Sequence, residues 1–125
     1  MPALPEQVSE AWGNRKGPAI FTTVAEDGTP NSIWVGCLEK CDEGRLMVAD
    51  NYFHKTRQNI LAGSTGALLW ITEEGNAYQV KGRIEYVTEG PVFDLMRESF
   101  DAKLPRVAAA VIHVEEAYSG ADRLL

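Results

Sequence analysis

Histidine and cysteine are scarce in this chain, with two of each among 125 residues: His54 and His113, Cys37 and Cys41. A Cys-x-x-x-Cys pair with no second pair and no nearby histidine does not make a zinc site. On a strand that runs into a turn the two thiols lie apart, and cytosolic disulfides are uncommon, so both cysteines read as structural. His113 sits in an apolar run and reads as a satisfied structural histidine. No Ser-His-Asp arrangement has a persuasive context, and no carboxylate cluster fits a first-row metal.

Long apolar runs are missing too: nothing approaches the ~18 residues of a membrane span, and Met1 to Trp12 lacks the apolar centre of a signal peptide. The default expectation is a cytoplasmic protein with no membrane association. Positive charge is in deficit, with 12 Lys and Arg against 18 Asp and Glu, a formal net charge of -6. That field disfavours nucleic acid or an anionic membrane as the main partner, while leaving room for a local basic pocket. No G-x-G-x-x-G opens a helix after a first strand, which argues against a Rossmann domain. No repeat or low-complexity linker divides the chain, so residues 1–125 read as one domain. A domain of this size buries about two-thirds of its unfolded surface, so covering an apolar patch with a second subunit would help it.

The residues present spell short strands and turns. Pro5 to Trp12 reads as a first helix, with Val8, Ala11 and Trp12 on one side and Gly13-Asn14 as its stop. Ala19 to Val24 is β-prone and ends at Glu26-Asp27-Gly28-Thr29-Pro30, a hairpin signal. A second strand is expected from Asn31 to about Lys40. Both of its faces are largely apolar, which suits a curled sheet partly covered outside. Arg45 to Ala49 is a third strand. Asp50-Asn51 then caps a helix over Tyr52 to Ala62, stopped by Gly63. Ser64 to Thr72 and Ala77 to Thr88 follow as strands. Pro91 presets a helix with Val92, Leu95, Met96 and Phe100 as its apolar stripe, and Val107 to Val114 is the last strand. The tail, Glu115 to Leu125, is mixed and calls for an external contact to order it. Six strands with short helices predict an all-β fold, an antiparallel barrel or sandwich.

Chemistry concentrates in Asp50 to Asn59. A helix start near His54, Lys55 and Thr56 exposes unpaired N–H groups, and the same turn offers the Lys55 ammonium, the Thr56 hydroxyl and the Arg57 guanidinium. Together they suit an anion such as phosphate. The alternative is a solvated helix whose basic residues aid solubility. Arg83 and Arg106, the other basic candidates, read as members of a solvated face.

The stretch TPNSIWVG at Thr29 to Gly36, followed by ADNYFHKTRQN at Ala49 to Asn59, resembles the FMN-binding split barrel of the pyridoxamine 5'-phosphate oxidase-like superfamily. It is especially similar to the short FMN-binding proteins of sulfate-reducing bacteria, and the likeness covers nearly the whole chain. It implies a six-stranded antiparallel split barrel that binds FMN noncovalently at a homodimer interface. By matching position, Lys55 and Thr56 are expected at the phosphate with Asn31 or Ser32. Ile33 and Trp34 would continue the strand past the cofactor, and Val48, Ala49 and Asp50 would lie near the isoalloxazine edge. Asn59 would brace the helix, and the tail near Tyr118 and Leu125 would reach the partner's flavin. Trp34, Trp70 and Tyr52 are candidate walls for the ring or core residues, and Trp12 is a packing residue.

A flavin brings its own redox chemistry, so no catalytic acid or base need appear in the chain. The leading expectation is redox or electron transfer, with a redox protein or a nicotinamide as donor, or a small flavin reductase. The alternatives are a non-enzymatic flavin-binding or ligand-sensing module and an oxidase of the pyridoxamine 5'-phosphate kind. The ending Asp122-Arg123-Leu124-Leu125 lacks the arginine-rich closure that grips a second phosphate in that oxidase. Haem or the deazaflavin F420 are rival cofactors.

Overall fold

The computed structural model describes residues 3–125. Met1 and Pro2, the start of the segment read above as lacking a signal-peptide centre, lie outside the described residues. The elements in chain order are α1 (Glu6–Gly13), β1 (Ala19–Val24), β2 (Pro30–Val35), β3 (Leu38–Asp42), β4 (Arg45–Asp50) and α2 (Lys55–Leu61). They continue with β5 (Thr65–Ile71), β6 (Ala77–Val87), α3 (Pro91–Ser99), β7 (Ala108–Ser119) and β8 (Asp122–Arg123). Among the described residues no helix is long and apolar enough to cross a membrane.

All strands join one antiparallel sheet in the order β2-β1-β5-β6-β7-β4-β3, with β8 beside β7. Its two edge strands, β2 and β3, follow each other in the chain with only Gly36 and Cys37 between them. The sheet must therefore curl until its edges approach, which makes it a half-barrel. The strand count differs from the expected six. The predicted single strand from Asn31 to Lys40 breaks at Gly36-Cys37, because its first half pairs with β1 and its second half with β4 on the far edge. The tail supplies the other addition. β7 runs on to Ser119, turns at Gly120 and returns as β8, where the Leu124 N–H donates to the Ala117 carbonyl at 2.8 Å. Leu124 and Leu125 pack on the chain's own core, so the tail is ordered without an outside contact.

Alternation along the strands sends Phe21, Leu46, Val48, Leu68, Val80, Ile112 and Val114 inward, all of them fully buried. As the three-four spacing predicts, Val8, Ala11 and Trp12 form the buried side of α1. Trp12 meets Trp70 edge-on at 5.2 Å, and the Trp70 indole N–H donates to the Ala11 carbonyl at 3.1 Å. This satisfied polar handle lets a large ring be buried without loss.

Helix α3 covers the outer face of β4 and β7, where Met96 packs with Met47, Ala49, Ala109 and Val111. That cover explains why β4 is buried on both faces. Burying a side chain the size of Met96 contributes about 1.5–3 kcal/mol. The α3 stripe differs from expectation at one position: Leu95 is exposed, and Phe93 packs on the cluster with Val92 and Phe100.

Between β6 and β7 the register slips, so that Lys81 faces Glu116 while Gly82 faces Val114. Glu115 is the extra residue of this bulge, and its carboxylate accepts the Arg83 N–H at 2.8 Å. A Cβ on Gly82 would lie 1.8 Å from the His113 carbonyl oxygen, so only glycine fits.

Candidate functional site

The region that carries the motif is where β2, the end of β4 and α2 meet. Helix α2 runs from Lys55 to Leu61 with His54 before it, so it starts later than the Tyr52 expected from sequence. The cause is Asp50. Its carboxylate accepts the Phe53 N–H at 2.9 Å and closes a separate turn over residues 50–53, which postpones the helix. The helix ends as expected at Gly63, which has φ 98°. There Gly63 N–H donates to the Ile60 carbonyl and Ser64 N–H to the Asn59 carbonyl, both at 3.0 Å, a Schellman motif.

The inner face of α2 buries Thr56, Asn59 and Ile60. The Asn31 side-chain amide donates to the Thr56 hydroxyl at 3.0 Å, which fixes α2 to β2. Asn59 braces the helix against β1 through a 3.0 Å hydrogen bond to the Thr23 hydroxyl. Ser32, on the opposite face of β2, shares a 2.8 Å hydrogen bond with the Thr22 hydroxyl. Asn31 and Ser32 thus flank the edge strand β2 from its two faces.

Lys55 is exposed on α2. It lines a cleft of about 330 Å³ with Ala25, Glu26, Asp27, Gln58, Asn59 and Ala62, between the first hairpin and the helix. The Asp27 carboxyl is held below its ordinary range chiefly by the Thr29 N–H that donates to it, and the Lys55 charge adds to this. The ammonium therefore stands at the site entrance without a direct ion-pair partner among the described residues.

A second cleft, of about 240 Å³ and mainly apolar, lies at the other end of β2. Ile33, Trp34, Val35, Gly36, Cys37, Ala49, Asn51, Tyr52 and Phe53 line it. Trp34 is 70% and Tyr52 77% exposed, unusual values for large aromatic rings. Asn31 and Ile33, two residues apart on the same face of the extended strand, put the polar end roughly 7 Å from this cleft, while Trp34 rims it from the face of Ser32.

Of the expected site residues, Ile33, Trp34 and Ala49 meet on the aromatic cleft, while Asn31 and Thr56 meet at the polar end. Lys55 lines the adjoining cleft and Ser32 the outer face of β2. Val48 points into the core and is fully buried. Asp50 is also fully buried, its two carboxylate oxygens bound by Phe53, Arg57 and Tyr86.

Two other readings need correction. Arg57 is not free for an anion, because its guanidinium grips Asp50 at 2.7 and 3.0 Å. Arg106 belongs to no solvated face. It is buried, and its guanidinium donates to the backbone carbonyls of Arg97, Ala102 and Leu104. Of the two roles open to Trp70 the structure gives the core one: it is buried and stacked on Tyr78 with ring centres 6.1 Å apart. His113 is structural as expected: its ring meets Glu85 at 2.9 Å and Arg83 at 3.2 Å. Sequence reasoning missed the link between Asp50, Arg57 and Tyr86. Aspartate and arginine seven residues apart across a turn give no periodic signal, and the tyrosine lies far along the chain.

With this geometry in view, the comparisons with known proteins are consistent. An uncharacterised protein of Methanocaldococcus jannaschii is 32% identical over 105 residues, which cover 80% of this chain and 70% of that protein. Among solved structures, HupZ of Group A Streptococcus superposes with a TM-score of 0.79 at 22% identity, covering 93% of each chain. An FMN-binding protein from Syntrophomonas wolfei superposes with a TM-score of 0.77 at 17% identity, covering 93% of this chain and 84% of its own. At these identities the two structures establish the shared fold. The family model described as pyridoxamine 5'-phosphate oxidase matches residues 4–121, a span that includes the polar end, the aromatic cleft and the half-barrel that carries both. The chain belongs to the pyridoxamine 5'-phosphate oxidase family.

Proposed function

We propose that this protein holds FMN along β2, as a flavin-binding member of its family. The observation that carries the reading is that one face of an edge strand joins the Asn31–Thr56 polar end to Ile33 of the apolar cleft that Trp34 and Tyr52 rim. The donor set fits the group. A phosphate of about -1.5 to -2 charges needs a cation and hydroxyl or amide donors, and Lys55, Thr56, Ser32 and Asn31 are of those types. A flat ring system needs apolar walls with a few polar groups, and the cleft between Trp34, Ala49 and Tyr52 has that character.

In this reading Lys55 neutralises the phosphate, and Thr56 and Asn31 orient it. Trp34 and Tyr52 exclude water from one face of the ring. When bound, the flavin supplies hydride or single-electron chemistry, and the chain sets its position and access. The homodimer also belongs to the proposal. The outer face of β1, β2 and β5 sets Trp34 and Leu69 in one row across Ile20, with Ile71 next to Leu69 along β5, an apolar surface that a second copy would cover.

The family match favours a flavin-holding or oxidase-like module over a dedicated electron carrier or flavin reductase. Kinship with the short FMN-binding proteins of sulfate-reducing bacteria, a redox protein partner and a cytoplasmic setting are finer parts of the same proposal. The vitamin B6 reaction itself finds little support in the arginines. Arg106 is committed to backbone carbonyls, and Arg123 lies beside Glu116 at 3.9 Å.

The test is reconstitution with FMN, sedimentation of the product, and anaerobic mixing with NADH, NADPH or pyridoxamine 5'-phosphate. Stoichiometric FMN on a dimer supports the reading, and no retained flavin contradicts it. Bleaching by a nicotinamide would reassign the protein as a reductase. Bleaching by pyridoxamine 5'-phosphate would make it an oxidase.

A further inference from the structure

Asp50 has no solvent exposure, yet it carries a carboxylate between Ala49 and Asn51, which line the aromatic cleft. An ionised group in that position is costly unless it is paired and fully hydrogen-bonded. Here it is both. One oxygen accepts the Phe53 N–H at 2.9 Å and an Arg57 Nη2–H at 3.0 Å. The other accepts Arg57 Nε–H at 2.7 Å and the Tyr86 hydroxyl at 2.6 Å. Arg57 Nε also lies 3.2 Å from the Tyr86 oxygen, which closes the network. The effects on the partners agree with the geometry. Arg57 is held above its ordinary value, chiefly by the Asp50 hydrogen bond, and Tyr86 is pushed up by burial and then by the same carboxylate.

The four groups come from four places: the end of β4, the turn after it, the first half of α2, and β6. Phe53 directly follows Tyr52, the wall of the aromatic cleft. Arg57 directly follows Lys55 and Thr56, the residues of the polar end. We propose that Asp50, Arg57 and Tyr86 form a positioning clasp that holds both ends of the cofactor site in register. The inference rests on the FMN reading, and it moves Asp50 from an expected neighbour of the ring to a residue acting through Tyr52, Lys55 and Thr56. A bidentate arginine suits the role, because its fork fixes direction as well as distance.

Two variants test it. Tyr86→Phe removes one hydroxyl, and Arg57→Lys keeps the charge but loses the fork. Each is compared with the wild-type full chain in three measurements: amide hydrogen exchange of residues 52–57 without FMN, FMN affinity by fluorescence titration, and the visible circular dichroism of bound flavin. The clasp predicts faster exchange confined to residues 52–57, FMN binding weakened by roughly tenfold, the scale of outer hydrogen-bond partners at metal centres, and an altered flavin spectrum. Unchanged exchange in both variants would overturn it. So would faster exchange with wild-type affinity and spectrum, which would make the network merely structural. Failure of the wild-type chain to bind FMN would sink the functional reading alone, and exchange at residues 52–57 would still decide whether the clasp orders them.

Discussion

The Asn31 amide donates to the Thr56 hydroxyl across 3.0 Å, joining residues 25 apart in sequence. This bond locks the polar end of the site, since Thr56 is 1% exposed and has little freedom to turn elsewhere. Thr56→Val keeps the shape and removes the hydroxyl. It should cost about 1 kcal/mol of stability in denaturant unfolding and weaken FMN severalfold. Equal FMN affinity in the variant would remove Thr56 from the phosphate end.

Lys55 is exposed, so changing it should leave the fold intact. Lys55→Glu replaces a cation at the polar end with a like charge for the phosphate, beside Glu26 and Asp27, which already line that cleft. FMN retention during purification should fall strongly while the far-ultraviolet spectrum and melting temperature stay near wild type. A variant that copurifies with a full complement of FMN would refute the phosphate assignment.

Gly82 is fixed by the β6–β7 bulge, where an added Cβ would sit 1.8 Å from a backbone oxygen. Gly82→Ala therefore has to push two central strands apart. Its cost should lie in the upper range for point substitutions, roughly 3 kcal/mol or more, read as a lower urea midpoint. A midpoint within experimental error of wild type would show that the bulge yields easily.

Cys41 packs beside the cluster under α3, and burial pushes its thiol up to about 11 from an ordinary value of 9.0. At pH 8 it should carry roughly a hundredfold less thiolate than a free cysteine, and iodoacetamide should modify it correspondingly slowly. Stability should also fall as pH rises from about 9 to about 11, because the unfolded thiol releases its proton before the folded one does. Alkylation at the rate of a free thiol would contradict this.

Local signals in the sequence located most of the fold, because they coincide with tertiary demands. The Asp27-Gly28 turn, the Val8, Ala11 and Trp12 stripe, Pro91 and the Gly63 stop all fall where their chemistry predicts. What escaped was decided at long range. The break at Gly36-Cys37 follows from sheet closure and is marked locally only by one glycine inside an otherwise continuous run. Likewise the tail called for an external contact because its order comes from pairing distant in sequence, Ser119 with Tyr78 of β6, on which Asp122 then pairs with Ser119. At the site, Ile33, Trp34, Ala49, Asn31 and Thr56 were legible from the motif. The destinations of Arg57 and Arg106 were not, because a guanidinium that binds an internal carboxylate or carbonyl looks the same in sequence as one that waits for a ligand.

The central claim is that this chain recognises a flavin by its phosphate as well as by its ring. Parallel fluorescence titrations of the purified protein with FMN and with riboflavin, which lacks only the phosphate, test it most directly. FMN should bind tightly and riboflavin at least tenfold more weakly, and the gap should shrink in Lys55→Glu. Equal affinity for the two, or no binding of FMN, would contradict it.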